Sequence, residues 1–249
     1  MAADDVEIEA ELDIIVVGAI IHADDDVEME AEGDIIVDGS VVTAGDDIEL
    51  EADGNILGNG MTTLEAAEDI EIDADGIVNM MGATLRVLGS HIELNSEGNL
   101  MLDGSIIEAM GDDGKLELES DGVIFLNSAH VTAGRKIEIE AADAVFSDLV
   151  TLHACGPRGK VEVEAAGIVS LANAVIRANR EIEIESNDGD VDVTGASIGI
   201  KGGTSGDIEI EAGNDILVAG AEIKAPDDID LNGNVVGDGT EDIGEGTLS

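Results

Sequence analysis

Glutamates recur in this chain in pairs one residue apart: Val-Glu-Ile-Glu-Ala at 6–10, Val-Glu-Met-Glu-Ala at 27–31, Ile-Glu-Leu-Glu-Ala at 48–52. Two carboxylates held near each other can share the work of glycoside hydrolysis, one as acid and one as base or nucleophile. They are also hard oxygen ligands of the kind Ca²⁺ and Mg²⁺ take. Asp-rich turns (Asp24-Asp25-Asp26, Asp46-Asp47, Asp227-Asp228) add to the second chemistry. The glycine-rich nonapeptide pattern of calcium rolls is missing, so the sequence predicts loosely held monovalent or divalent cations and no defined metal site. The four histidines are scattered: His22 and His153 share a column six repeats apart, roughly 30 Å, and His91 and His130 lie in others. Zinc needs ligands that converge. No catalytic or cofactor-binding residue is assigned.

What positions these carboxylates is a repeat. Aligned on the first apolar residue of each acidic phrase, the anchors are Val6, Val27, Ile48, Ile70, Ile92, Leu116, Ile137, Val161, Ile182, Ile208 and Ile229. Consecutive anchors lie 21 to 26 residues apart, which makes eleven repeats across 1–249 and leaves no room for a second domain. Each repeat holds three strand-like pieces, in the tenth "DIEIEA" (207–212), "DILVAG" (215–220) and "AEIKA" (221–225). Strict alternation in the first marks a strand with one face in and one out. Gly, Asn and Asp sit at the joints, where turns need them. β-branched phrases this short, punctuated by glycine, disfavour helix. The reading is all-β: a right-handed parallel β-helix (solenoid) of about eleven coils, with three strands per coil, roughly 50 Å long at the strand spacing. Insertions fall at turns: 111–115, 156–160 and 201–206.

Stacked coils turn equivalent positions into columns. The expected inward columns run Val6/Val27/Ile48/Ile70, Ile8/Met29/Leu50/Ile72, Ile14/Ile35/Ile56/Ile77 and Ile21/Val42, with Ala10, Ala31, Ala52 and Ala74 closing the first strand. Phe125 and Phe146 are expected to stack within this core. Outward, one acidic ladder runs Glu7, Glu28, Glu49, Glu71, Glu93, Glu117, Glu138, Glu162, Glu183, Glu209 and then Asp230. A second begins at Glu9, Glu30 and Glu51. In water, two carboxylates about 5 Å apart repel by roughly 0.8 kcal/mol, so the ladders read as a solvated, cation-coated face suited to high salt. Just before the anchors a column changes sign: Asp5, Asp26, Asp47, Asp69, His91, Lys115, Lys136, Lys160, Glu181, Asp207, Asp228, with Arg135, Arg158 and Arg180 beside it. It either relieves the repulsion of the neighbouring glutamates or docks an acidic neighbour. On the second strand, an apolar stripe is read as Ile15, Ile36, Leu57, Val78, Met101, Ile124, Val145, Val169, Leu217 and Val236. Strict alternation puts it outside as an assembly surface, whereas a bend in the strand would turn it inward. The third strand's outer column (Ile20, Val41, Thr62, Thr84, Ile106) is only weakly polar.

Composition narrows the function. The chain has 58 acidic against 10 basic residues, a formal charge of -48, two Phe and no Tyr or Trp. That charge argues against nucleic acid or an anionic membrane as partner, and it fits a halophilic, archaeal source. No apolar run approaches the ~18 residues of a membrane span, so no direct membrane insertion is expected. The start, MAADDVEIEA, has no secretory signature, so a cytoplasmic protein is expected, or a cell-surface one if the chain is a trimmed fragment. Cys155, the single cysteine, follows a strand and reads as a small buried or edge residue, with an intermolecular bridge as the lesser alternative. Only five residues precede the first anchor, so an uncovered first coil is expected to stack end to end.

The phrase "GDIEIEAGNDILVAGAEIKA" (206–225) resembles the haemagglutinin-type repeats of large filamentous adhesins, which implies the right-handed β-helix. A short, acidic, aliphatic β-helix is also similar to the bactofilins, whose haloarchaeal members are called halofilins. That resemblance implies a non-enzymatic cytoskeletal filament that assembles end to end without nucleotide and supports cell shape. Its partner would be itself, with other cell-shape proteins as the further partners this reading admits. A surface or adhesin-type module is the alternative. A polysaccharide-active β-helix comes third, because no repeat stands out as a cleft and no Trp or Tyr can stack a sugar.

Overall fold

The computed structural model describes residues 4–201 and 205–244, and the backbone of 247–248. Among the described residues every regular element is a strand, and the strands pair in parallel from each coil to the next. Coil 1 consists of Val6–Ala10, Ile14–Ile15 and Ile20–His22. Coil 6 repeats the plan with Lys115–Ser120, Val123–Phe125 and His130–Ala133. First and second strands stack into one sheet of 21 strands and third strands into a sheet of 11. Every expected anchor is paired with its neighbour, from Val6↔Val27 to Ile208↔Ile229. The chain is therefore an all-β parallel solenoid of about eleven turns.

Inward residues fill the solenoid without a gap in the pattern. Val27, Met29, Ile70, Ile72, Ile92 and Ile137 are 0% exposed. Where serine replaces alanine at the end of the first strand, its buried hydroxyl is satisfied by a turn carbonyl of the preceding coil: Ser96 on Gly76, Ser120 on Gly98, Ser186 on Gly167. At the turns, Asp and Asn side chains accept backbone N–H groups of the next coil. Asp34 takes Asn55 N–H at 2.7 Å, Asn55 takes Ile77 N–H at 3.0 Å, and Asp47 takes Asp69 N–H at 2.9 Å. The aspartates between third and first strands thus serve the backbone of the stack.

The turn before each third strand needs a left-handed residue. Glycine supplies it at Gly18, Gly39, Gly60, Gly82 and Gly104, with φ from 62 to 77°. In coils 6 to 8 the position passes to Ser128, Leu149 and Asn173, all with positive φ. Asparagine tolerates this region; for leucine, the crowding of Cβ against the carbonyl costs about 1–2 kcal/mol.

Several expected columns shift by one residue. Val78, not Ile77, pairs with Ile56 and is 0% exposed. In the third strand, Thr63 pairs with Val41 and faces outward, while Thr62 is buried and donates its hydroxyl to the Val37 carbonyl. Phe125 and Phe146 do stack, with ring centroids 6.1 Å apart, but on the outward side, where Phe146 is 36% exposed. Cys155 is exposed at the turn after its strand.

Candidate functional site

The first strand's outward face carries the densest charge, and its rungs are in strict register: Glu7↔Glu28, Glu28↔Glu49, Glu71↔Glu93, Glu117↔Glu138, Glu138↔Glu162, Glu183↔Glu209. Burying the alternate Ile, Val and Leu residues against the core forces every Glu between them onto this face. The ladder is continuous in geometry but not in electrostatics.

In coils 1 to 4 no lysine lies beside it, and Arg86 is the first Lys or Arg of the chain. Burial, then the charges of Glu71 and Glu28, raises the Glu49 carboxyl above its ordinary range. Burial, then Glu93 and Asp73, raises Glu71. Glu7 is raised by its contact with Glu9 and by the charge of Glu28. In coils 5 to 8 a His or Lys side chain stands beside the ladder and bridges two rungs at a time. His91 Nε2 lies 3.0 Å from Glu93 and 3.2 Å from Glu117. Lys115 joins Glu117 and Glu138; Lys136 joins Glu138 (2.7 Å) and Glu162. Lys160 reaches Glu162, Glu183 (3.2 Å) and Glu181 (3.3 Å). Burial works to raise Glu162, but the hydrogen bonds from Lys136 and Lys160 prevail and hold it low. A hydrogen bond from Asn95 does most to lower Glu93, with His91 adding to it against burial. Beyond the lysines the ladder is bare again, and burial followed by Glu183 and Asp230 raises Glu209. Among the described residues the Glu9/Glu30/Glu51 ladder has no such bracing, and burial with Glu164 and Glu119 raises Glu140.

Of the two roles open to the sign-changing column, the geometry realises relief of repulsion, because Lys115, Lys136 and Lys160 are engaged by their own chain's glutamates. His91, Glu93 and Glu117 bring three potential ligand atoms within 4.8 Å of one another. Protein donors already occupy these carboxylates: the imidazole lies between them, Lys115 holds the other Glu117 oxygen, and Asn95 donates to the other Glu93 oxygen. The spacing of a ladder that steps one residue per coil could have disclosed this group, since His91 directly precedes an anchor.

The apolar stripe divides. The column that starts at Ile15 continues Ile36, Leu57, Asn79, Met101, Phe125, Phe146, Ser170, Asp192, Leu217 and Val236. Val78, Ile124, Val145 and Val169 belong to the neighbouring inward column and are 0% exposed. Those four are core, and Asn79, Ser170 and Asp192 interrupt the outward line. The surviving apolar surface concentrates at coil 1, where Leu12 is 76%, Ile15 64%, Val17 63% and Ile20 81% exposed. On the third strand, Arg86 sits between Glu65 (3.6 Å) and Glu108 (2.6 Å), an ion-paired rung that the sequence reading missed. Its signal was a lone Arg one repeat away from a Glu on either side.

These features define a class: a charge-laddered parallel β-solenoid. No protein-family model, curated protein or solved structure matches the chain.

Proposed function

We propose that the chain is a non-enzymatic structural rod of a halophile that stacks end to end into a bactofilin-like cytoskeletal filament supporting cell shape. The observation that carries this reading is coil 1. Its inward residues Val6, Ile8, Val16 and Ile21 are only half-buried, whereas their counterparts Val27, Met29, Val37 and Val42 in coil 2 are 0% exposed. Among the described residues no strand covers that face, and another coil laid on it would bury them and pair its backbone edge, as each coil does for the next. At the other end, Val235, which pairs with the buried Ile216, is 44% exposed and offers an apolar surface of the same kind. The bare glutamate rungs support the halophilic part, because molar salt shortens the screening length to about 3 Å.

Electron microscopy of the full chain in molar KCl tests the filament. Filaments with an axial repeat of about 50 Å, lost on Ile8→Lys with Ile21→Lys, are expected; isolated short rods at every concentration would overturn the reading. The adhesin-type alternative rests on the 206–225 phrase and would gain if the rods bound a cell surface instead of one another.

A further inference from the structure

The corner where each third strand turns into the next first strand forms a ridge along the rod. Its backbone is close-packed: Gly111, Gly134 and Gly156 each lie against the carbonyl of the glycine one coil earlier, with no room for a Cβ. Side chains on this ridge therefore project from a fixed base. In the first coils they are exposed carboxylates, represented by Asp25, Asp46 and Glu68. Five coils further on they are exposed guanidiniums, Arg135, Arg158 and Arg180, which form no ion pair among the described residues. Between the two blocks stand two apolar side chains on adjacent turns, Leu88, 68% exposed, and Met110, 51% exposed.

The order is symmetric about the midpoint between Leu88 and Met110. Stepping one turn outward gives Glu68 on one side and Arg135 on the other. The next step gives Asp46 and Arg158, and the third gives Asp25 and Arg180. A surface whose halves are complementary about its own centre is what a two-fold, isologous contact requires. We propose that two copies pair side by side and antiparallel along this ridge, with the axis between Leu88 and Met110.

In that pair Leu88 packs on the partner's Met110 and the reverse. Glu68 meets the partner's Arg135, Asp46 meets the partner's Arg158, and Asp25 meets the partner's Arg180. Asp112 and Asp113, on the Met110 turn, face the uncharged Leu88 turn. Parallel in-register pairing would set each charge against its like, and the two-block ridge selects against it. The axis lies about one coil from mid-rod, so the copies overlap along most of their length, displaced by about two coils, ~10 Å. The pairing does not rest on end-to-end stacking, since it uses the side of the rod.

Sedimentation equilibrium and small-angle scattering of the full chain, in KCl that keeps it folded, test the proposal. A two-copy species longer than one rod by only about two coils is expected. Arg135→Glu with Arg158→Glu should weaken it at least about tenfold, with an unchanged melting temperature as the folding control. Adding Asp46→Arg and Glu68→Arg to the same chain should restore it, which a merely structural effect would not do. A parent chain that stays single, a species two rods long, or a charge-reversed variant that pairs as well as the parent would each overturn side-by-side pairing. The double-length species would at the same time favour the filament.

Discussion

Coils 1 to 4 and coils 5 to 8 are built on one plan and stabilised differently. Both bury the same columns of Ile, Leu and Val, and both turn a line of glutamates outward in register. In the first block the rungs face only other carboxylates, and Glu49 and Glu71 are pushed to bind protons more readily. In the second, His91, Lys115, Lys136 and Lys160 each tie two rungs together. The contrast separates two jobs. Aliphatic burial specifies the coil, and the outward charges set the salt conditions under which neighbouring coils stay together.

Truncating the core should have the largest effect and test whether the blocks are equal inside. Ile72→Ala in coil 4 and Ile139→Ala in coil 7 each remove a fully buried side chain and should cost about 2–5 kcal/mol. In molar salt the two losses should agree in denaturant titrations; a much smaller cost in coil 4 would mean its core is loose.

Next in size, Lys136→Met combined with Lys160→Met strips the second block of its bracing. Both lysines are about one quarter exposed, so the loss should lie near 2 kcal/mol, between surface and buried ion pairs. It should grow as salt is lowered. A variant indifferent to salt would remove the bracing argument.

The turn before the third strand separates the blocks again. Leu149→Gly should stabilise by about 1 kcal/mol, because glycine accepts φ of 63° without a Cβ penalty, while Gly60→Leu should cost a similar amount. Thermal melts of the two variants moving in the same direction would contradict this.

The smallest effect is with pH, and its sign differs between blocks. Carboxyls raised in the folded state, Glu49 and Glu71, make that state bind more protons than the unfolded chain. The first block should therefore gain stability as pH falls from neutrality toward their ordinary value of 4.5. Glu93 and Glu162 are lowered, so their contribution is present above 4.5 and disappears as pH falls through their depressed values. Hydrogen exchange resolved by coil should show the first block tightening on mild acidification while the second loosens only at lower pH.

The fold was legible because the first strand repeats so closely: each anchor is apolar, an acid follows every anchor, and the register between coils is the anchor alignment itself. The second strand was legible only in part. Its inward residues Ile14, Ile35, Ile56, Val78, Leu100, Ile124, Val145 and Val169 each fall four residues after the small residue that ends the first strand. Following hydrophobicity instead of that fixed step slid the outward column onto Val78 and Val169, because Asn79 and Ser170 at the true positions are polar, and onto Ile124 and Val145, because Phe125 and Phe146 at the true positions read as core. A one-residue slip in a strand exchanges its faces. Thr62 was misplaced for the same reason: its hydroxyl looks solvent-facing until the Val37 carbonyl is found to accept it. The bracing of the glutamates was visible as a column of positive residues, but its two-rung reach depends on side-chain length and direction, which the pattern does not encode.

The most direct test of the division between the blocks is hydrogen–deuterium exchange of the whole chain, read coil by coil while KCl is lowered from molar concentration. Backbone amides of coils 2 to 4 should lose protection at higher salt than those of coils 6 to 8, with the boundary near His91. Uniform loss along the rod, or loss beginning among the lysine-braced coils, would contradict the account.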